Sequence, residues 1–321
     1  MNIVFCDSKD NNIGSTRIWV NNLSEWLKDF GEDVVILKNY KDLISYKEKI
    51  DIIIFGKNEK PEKILNFSKQ KEKIGLINPS LEFIKKKFRS KVDFIIVGSL
   101  EERDFWLDYY KAVFIFPLIE KNFTKKKIHE DKKEIVFGYH GNLKHLQEMN
   151  REIVKALEEF SKEREIILKV IYNKKLGKWN KNRPKIKIEE KSWNLENLED
   201  ELLKCDIGLV PGVINQKKIF KNKMDYLIKF KNKSNSGRCF VFHQLNIPVI
   251  ADFNPSNFHI LGNLDCGFVA NSYGGWLNAM NYLSHSENRK KMADNAYNEF
   301  LKYYDPIKWT KRFVNELNNI I

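Results

Sequence analysis

Short runs of consecutive apolar residues recur along the first third of the chain, each followed by a polar turn and an amphipathic stretch. The runs cover residues 3–6, 34–37, 52–55, 74–77, 94–97 and 113–116. They are apolar at successive positions rather than at every second one, so they predict strands covered on both faces. Between them the spacing is helical, clearest over 18–30, where Ile18, Leu23, Trp26, Leu27 and Phe30 recur and Gly31 supplies the stop. Strands alternating with helices of this length imply right-handed crossovers and a parallel sheet.

A second alternation opens at 135–138. It continues through a helix near 150–161 and strands at 166–171, 186–188, 207–210, 249–251 and 268–270. Residues 117–133 are polar and lysine-rich and read as a linker, and 174–185 as a basic exposed loop. From Gly274 onward the pattern is helical, with a break at Asp305-Pro306. The expected class is α/β, with two Rossmann-like domains of mostly parallel sheet at 1–118 and 133–303, closing on a phosphate-bearing ligand between them.

Composition adds bounds to this picture. The 321 residues fit two domains, and an apolar fraction of 42% with 13% aromatics supplies each with a core. Cys6, Cys205, Cys239 and Cys266 stand singly in apolar surroundings without metal-ligand spacing, as in a reduced cytoplasmic protein. The chain enters its first strand without a basic, apolar leader, and no run of about 18 apolar residues occurs. A soluble or peripherally held protein is expected. The formal charge of +13 suits an anionic partner, but the lysines are spread along the whole chain and no nucleic-acid module is visible. No nucleic-acid partner is expected.

Ligands of open parallel sheets sit beyond the carboxyl ends of the strands, where helix N-termini present amides. Three strand-to-helix turns fit that chemistry. The first, from Asp7, is long and polar and enters its helix through Gly14, Ser15, Thr16 and Arg17. Glycine allows close approach and hydroxyls bind anions, although Ser15 or Thr16 serves equally as an N-cap. The second, Gly138 to Leu146, places small residues around His140, so that the amides of Gly141 and Asn142 can approach a ligand. The third runs from Lys233 through Ser234, Asn235, Ser236 and Gly237 to Arg238 in the first turn of a helix. A cation there opposes the helix macrodipole, so propensity does not explain it, whereas an anion held by amides and guanidinium does. Neither a G-x-G-x-x-G fingerprint nor a Walker-type loop is present.

The third turn, its amphipathic helix and the following Asn246-Ile247-Pro248-Val249-Ile250-Ala251 resemble the donor-site segment of GT-B-fold glycosyltransferases, in particular the retaining, nucleotide-sugar-dependent group. The turn at Gly138–Asn142 and the strand leading to Pro211 are similar to segments of the same second domain, and Gly14-Ser15-Thr16-Arg17 to one in the first. The resemblance implies a nucleotide-diphosphate sugar as co-substrate, with no other cofactor. Gly141, Asn142, Trp193, Pro211, Ser234, Asn235, Ser236 and Gly237 would bind it, with Trp193 near the nucleobase. It also implies acceptor binding in the first domain and a closing helix, 304–321, that crosses back to that domain. The Glu-x7-Glu element of many retaining members is missing before Pro248, which leaves the sugar open.

No Asp-x-Asp occurs, so a metal-clamped diphosphate is not expected, and no residue is assigned to a metal. Arg238 and Lys233 would take the negative charge, and His140 would touch the transferred sugar or the acceptor. An inverting reaction would need a carboxylate base such as Asp7, Asp10 or Glu101. Retention needs none, and retention is expected. The acceptor would be a glycan or a lipid-linked one, and the basic segment 81–91 offers peripheral contact with anionic membrane or is simply a solvated helix side. Competing readings are a GT-B-type nucleotide-sugar epimerase or hydrolase, and a non-catalytic two-lobed anion or nucleic-acid binder.

Overall fold

The computed structural model describes residues 1–321 except 10–12, 58, 68–69, 122, 213–235 and 263–264. The chain divides into two compact units, Met1–Lys121 with Tyr304–Ile321, and Asn122–Tyr303.

In the first unit six strands form one sheet: β1 (Asn2–Cys6), β2 (Asp33–Leu37), β3 (Ile52–Phe55), β4 (Lys73–Ile77), β5 (Phe94–Val97) and β6 (Ala112–Ile115). Their order is β2-β1-β3-β4-β5-β6, all parallel. Ile52, Ile53, Ile54 and Phe55 are fully buried, which is why this strand reads as an unbroken apolar run. The helix expected over 18–30 opens instead as a π-helical turn, Arg17–Asn22, and becomes regular only over Leu23–Asp29. The widened turn buries Arg17, Ile18, Trp19, Val20 and Asn22, and Trp19 Nε1 donates to the Phe116 carbonyl at 3.0 Å. Gly31 stops the helix at φ +84°. The closing helix, Pro306–Asn318, belongs to this unit. Asp305 caps it by accepting from the Ile307 amide at 2.9 Å, and Phe313 meets the rings of Phe114 and Phe116 at 6.1 and 5.8 Å.

The second unit repeats the plan with β7 (Glu134–Gly141), β8 (Glu165–Tyr172), β9 (Lys187–Ser192), β10 (Ile207–Val210), β11 (Val249–Asp252) and β12 (Phe268–Ala270). Their order is β12-β11-β10-β7-β8-β9, again all parallel. Strand β7 runs three residues past the expected 135–138, pairing with β8 as far as Gly141 against Tyr172. His140 and Gly141 therefore end a strand rather than form a turn.

Two segments differ from their sequence reading. The loop at 174–185 is not wholly exposed: Trp179 is buried and donates to the carbonyls of Leu146 and Lys181 at 3.1 and 2.7 Å. The expected linker is divided: up to Lys121 it belongs to the first unit, and the rest is laid onto the second. The Lys127 amide donates to the Leu245 carbonyl at 2.8 Å, its ammonium meets Asp206 at 3.1 Å, and buried Arg289 donates to the Glu130 carbonyl at 2.8 Å. A lysine-rich segment reads as a tether, but its hydrogen-bonding groups are used along its length. All four cysteines are buried free thiols, and burial pushes Cys6, Cys205 and Cys239 up to about 12, far from thiolate reactivity. Among the described residues no helix is long and apolar enough to cross a membrane.

Candidate functional site

The chain lays β7, β8 and β9 in one direction, then returns to lay β10, β11 and β12 in the other. The reversal lies between β7 and β10, and a ligand crevice opens beyond the carboxyl ends at such a point. The second and third turns of the sequence meet there. Gly141 closes β7 at φ +140°, a region closed to most side chains. A Cβ on it would stand 3.1 Å from Tyr139 Oη and 3.2 Å from Arg238 Cδ. Tyr139 Oη donates to the Asn142 carbonyl at 2.7 Å, and Asn142 caps the following helix by accepting from the Lys144 amide at 2.9 Å.

Arg238 enters from the N-terminus of the helix Gly237–Gln244. Its Nη2 donates to the Pro211 carbonyl just beyond β10 at 2.8 Å and lies 3.2 Å from His145 Nδ1. The guanidinium carbon stands 5.7 Å from the centre of the Tyr139 ring. Nη1 is buried and has no hydrogen-bond partner among the described residues. The Ser236 side chain does not cap this helix, and its first turn holds no acid. Ser236, the residue placed to cap it, instead donates to Asn257 Oδ1 at 3.2 Å, and Asn257 Nδ2 holds the Asp252 carbonyl at the end of β11 at 2.9 Å. A guanidinium with one buried nitrogen unsatisfied among the described residues, in the first turn of a helix, is a site of positive potential suited to an anion.

His140 points into packing, its buried ring set against Phe242 at 5.1 Å and 66°. Trp193 follows β9; its amide donates to the Tyr172 carbonyl at 2.9 Å and its side chain packs against the core cluster that includes Leu198 and Leu202. Lys233, Ser234 and Asn235 lie outside the described residues. Sequence reasoning passed over His145 and Tyr139, which hold Arg238 in place. Their only sequence signal was nearness to the glycines.

Burial and the neighbouring Arg238 hold His145 at about 3, and burial alone does the same to His243. Both values lie below the ordinary 6.5, so the unfolded chain takes up protons first as pH falls. The stability from their neutral burial is complete above about 6.5 and declines toward 3, by up to about 1.4 kcal/mol per pH unit for each. Urea midpoints measured from pH 7.5 to 5 should fall steadily, and His243→Asn should flatten that slope by up to about one proton.

In the first unit the strand order reverses between β1 and β3. Asp7, just past β1, is buried: Oδ2 accepts from Thr16 Oγ1 and Oδ1 from the Lys9 amide, both at 2.9 Å. Arg17 forms a two-pronged pair with Glu120, Nε to Oε2 at 3.0 Å and Nη2 to Oε1. Thr16 and Arg17 therefore brace the loop against the unit's own carboxylates, while Gly14 and Ser15 stay partly exposed. Glu59, absent from the sequence reading, ties the loop from the other side by accepting from the Ser8 amide at 2.6 Å and from Lys63 at 2.7 Å. Gly56 allows this fit, since a Cβ there would stand 2.4 Å from Asp7 Cγ. Gly56→Ala should lower stability by about 1–3 kcal/mol, read as a fall in Tm.

No protein-family model and no curated relative matches the sequence. Solved structures do. HepE of Anabaena in complex with UDP-glucose superposes with a TM-score of 0.69 at 9% identity, over 99% of this chain and 100% of that one. An alpha-glucosyltransferase in complex with UDP and a 13-mer DNA gives 0.64 at 10% identity over 99% of each chain. A glycosyltransferase from Rickettsia africae gives 0.61 at 11% identity, over 99% of this chain and 98% of that one. This chain of two all-parallel six-stranded units superposes on these structures over nearly its whole length, and the protein has the two-domain GT-B fold.

Proposed function

We propose that the protein is a glycosyltransferase that moves a hexosyl group from a nucleoside-diphosphate sugar to a hydroxyl of a glycan or lipid-linked acceptor, without a metal and with retention. The observation that carries this reading is Arg238, in the first turn of its helix at the strand-order reversal, whose Nη1 is buried without a hydrogen-bond partner among the described residues. UDP or UDP-glucose in the complexes of similarly folded proteins fits the same chemistry.

In the reaction the bond between the anomeric carbon and the diphosphate oxygen breaks, and negative charge grows on the departing phosphate. Arg238, the helix amides at Gly237 and the ammonium of Lys233 stabilise that charge. The acceptor hydroxyl forms the new glycosidic bond on the same face, and the leaving phosphate takes its proton. No carboxylate base is required, and Asp7, with both oxygens accepting hydrogen bonds, is not placed to be one. Gly141, Asn142 and Pro211 line the donor, Trp193 lies toward the base, and buried Ser236 and His140 support the pocket from behind. Gly14, Ser15, Thr16 and Arg17 form the acceptor loop.

A thermal-shift series with UDP, GDP, CDP and dTDP and their sugars tests this reading. One nucleotide should raise Tm, equally well in EDTA, and the anomeric configuration of the product should match that of the donor by NMR. Indifference to all four nucleotides would remove the donor site. Isomerised sugar from donor alone would point to an epimerase. The segment 81–91 buries Phe83 and Phe88 and exposes Lys85, Lys86 and Lys87, so membrane contact through it would be electrostatic. Flotation with anionic vesicles should then be lost on adding salt, and equal flotation with neutral vesicles would count against it.

A further inference from the structure

We infer that His145 is a positioning residue for the donor phosphate: as a neutral imidazole accepting at Nδ1, it fixes which edge of the Arg238 guanidinium faces the ligand. This rests on the donor-site reading given above and adds to it a residue that makes no ligand contact of its own. An arginine has only donors, so a hydrogen bond across the 3.2 Å to His145 Nδ1 needs that nitrogen bare, with the proton on Nε2; the Pro211 carbonyl is also a hydrogen-bond partner of this ring. Nη2 is then held by two acceptors from different elements, His145 Nδ1 on the helix Leu143–Gln147 and the Pro211 carbonyl beyond β10. The Tyr139 ring beside the guanidinium limits rotation about the long side chain. With one edge so fixed, Nη1 is left to bind the ligand.

A protonated imidazole would repel Arg238 and leave Nη2 only the Pro211 carbonyl as acceptor. Burial beside Arg238 and Lys144 keeps His145 neutral through the ordinary pH range. His145 lies four residues beyond Gly141, and Tyr139 ties the intervening turn by donating to the Asn142 carbonyl.

The test is UDP titration by calorimetry on the full chain. His145→Leu removes the acceptor at similar volume and should weaken UDP binding about tenfold, whereas His145→Asn, whose side-chain oxygen falls near the Nδ1 position, should stay within about threefold. In an Arg238→Ala background, His145→Leu should change the affinity no further. Circular dichroism checks that each variant is folded. A spectrum of 15N-histidine-labelled protein should show His145 with a bare Nδ1 in the absence of nucleotide. If the parent binds UDP while His145→Leu binds it equally well, or if the two losses simply multiply, the role of His145 is overturned and the donor site stands. If the parent binds no nucleoside diphosphate, both fall together. A protonated Nδ1 in the ligand-free spectrum overturns the inference by itself.

Discussion

Arg238→Ala should weaken nucleoside-diphosphate binding by about 1.5–3 kcal/mol, roughly a tenfold to 150-fold rise in Kd, while leaving the ligand-free protein at least as stable as before. The two halves of this expectation have separate causes. Binding suffers because a charged donor whose Nη1 is buried without a partner is removed, and nothing else among the described residues takes its place. Stability does not suffer in step, because the side chain sits in the first turn of its helix, where a cation opposes the macrodipole. Its removal frees the Pro211 carbonyl and His145 but also removes a buried nitrogen that is unsatisfied among the described residues. The nucleotide-induced Tm shift should therefore vanish without a fall in the ligand-free Tm. Arg238→Lys should recover only part of the affinity, since one ammonium cannot hold Pro211 and a phosphate as a guanidinium fork does. A purely structural arginine would give the opposite pattern, a lower ligand-free Tm with the nucleotide shift intact.

The sheets were legible in the sequence because their strands are buried on both faces. Four consecutive apolar residues such as Ile52-Ile53-Ile54-Phe55 leave little choice of element, and the structure places a strand over the same residues. The ends of elements were less legible. β7 continues through His140 to Gly141 because β8 still offers a partner there, and cross-strand pairing is a property of two segments rather than of either one. The π turn at Arg17–Asn22 was invisible for a related reason: its apolar spacing is also that of an α-helix, and tertiary packing decides between them. Arg238 stood out from sequence because a cation at a helix start conflicts with local electrostatics, and such conflicts mark functional positions. His145 and Glu59 gave no such signal, being ordinary residues whose partners are far along the chain. Glu120 lies in a segment that reads as a linker, 103 residues from Arg17, and no local pattern announces a pair of that span.

That pair carries the other large expected effect. Glu120→Ala should destabilise the protein by about 3–5 kcal/mol, a large share of the 5–15 kcal/mol typical of a folded domain. Arg17 and Glu120 are 5% and 3% exposed, so the mutation leaves a guanidinium in the interior without the carboxylate that compensates it. Much of the cost comes from the stranded charge rather than from the pair itself. Replacing both residues with apolar side chains of similar volume, Arg17→Met with Glu120→Leu, should therefore restore most of the stability lost in the single mutant. Urea unfolding of the two single variants and the double variant measures this directly. The same cycle separates bracing from ligand binding at the first loop. If Arg17 only braces the loop, the stable double variant should keep its acceptor kinetics. If Arg17 also contacts the acceptor, as its place after Gly14, Ser15 and Thr16 led the sequence reading to expect, the double variant should be stable yet show a raised acceptor KM.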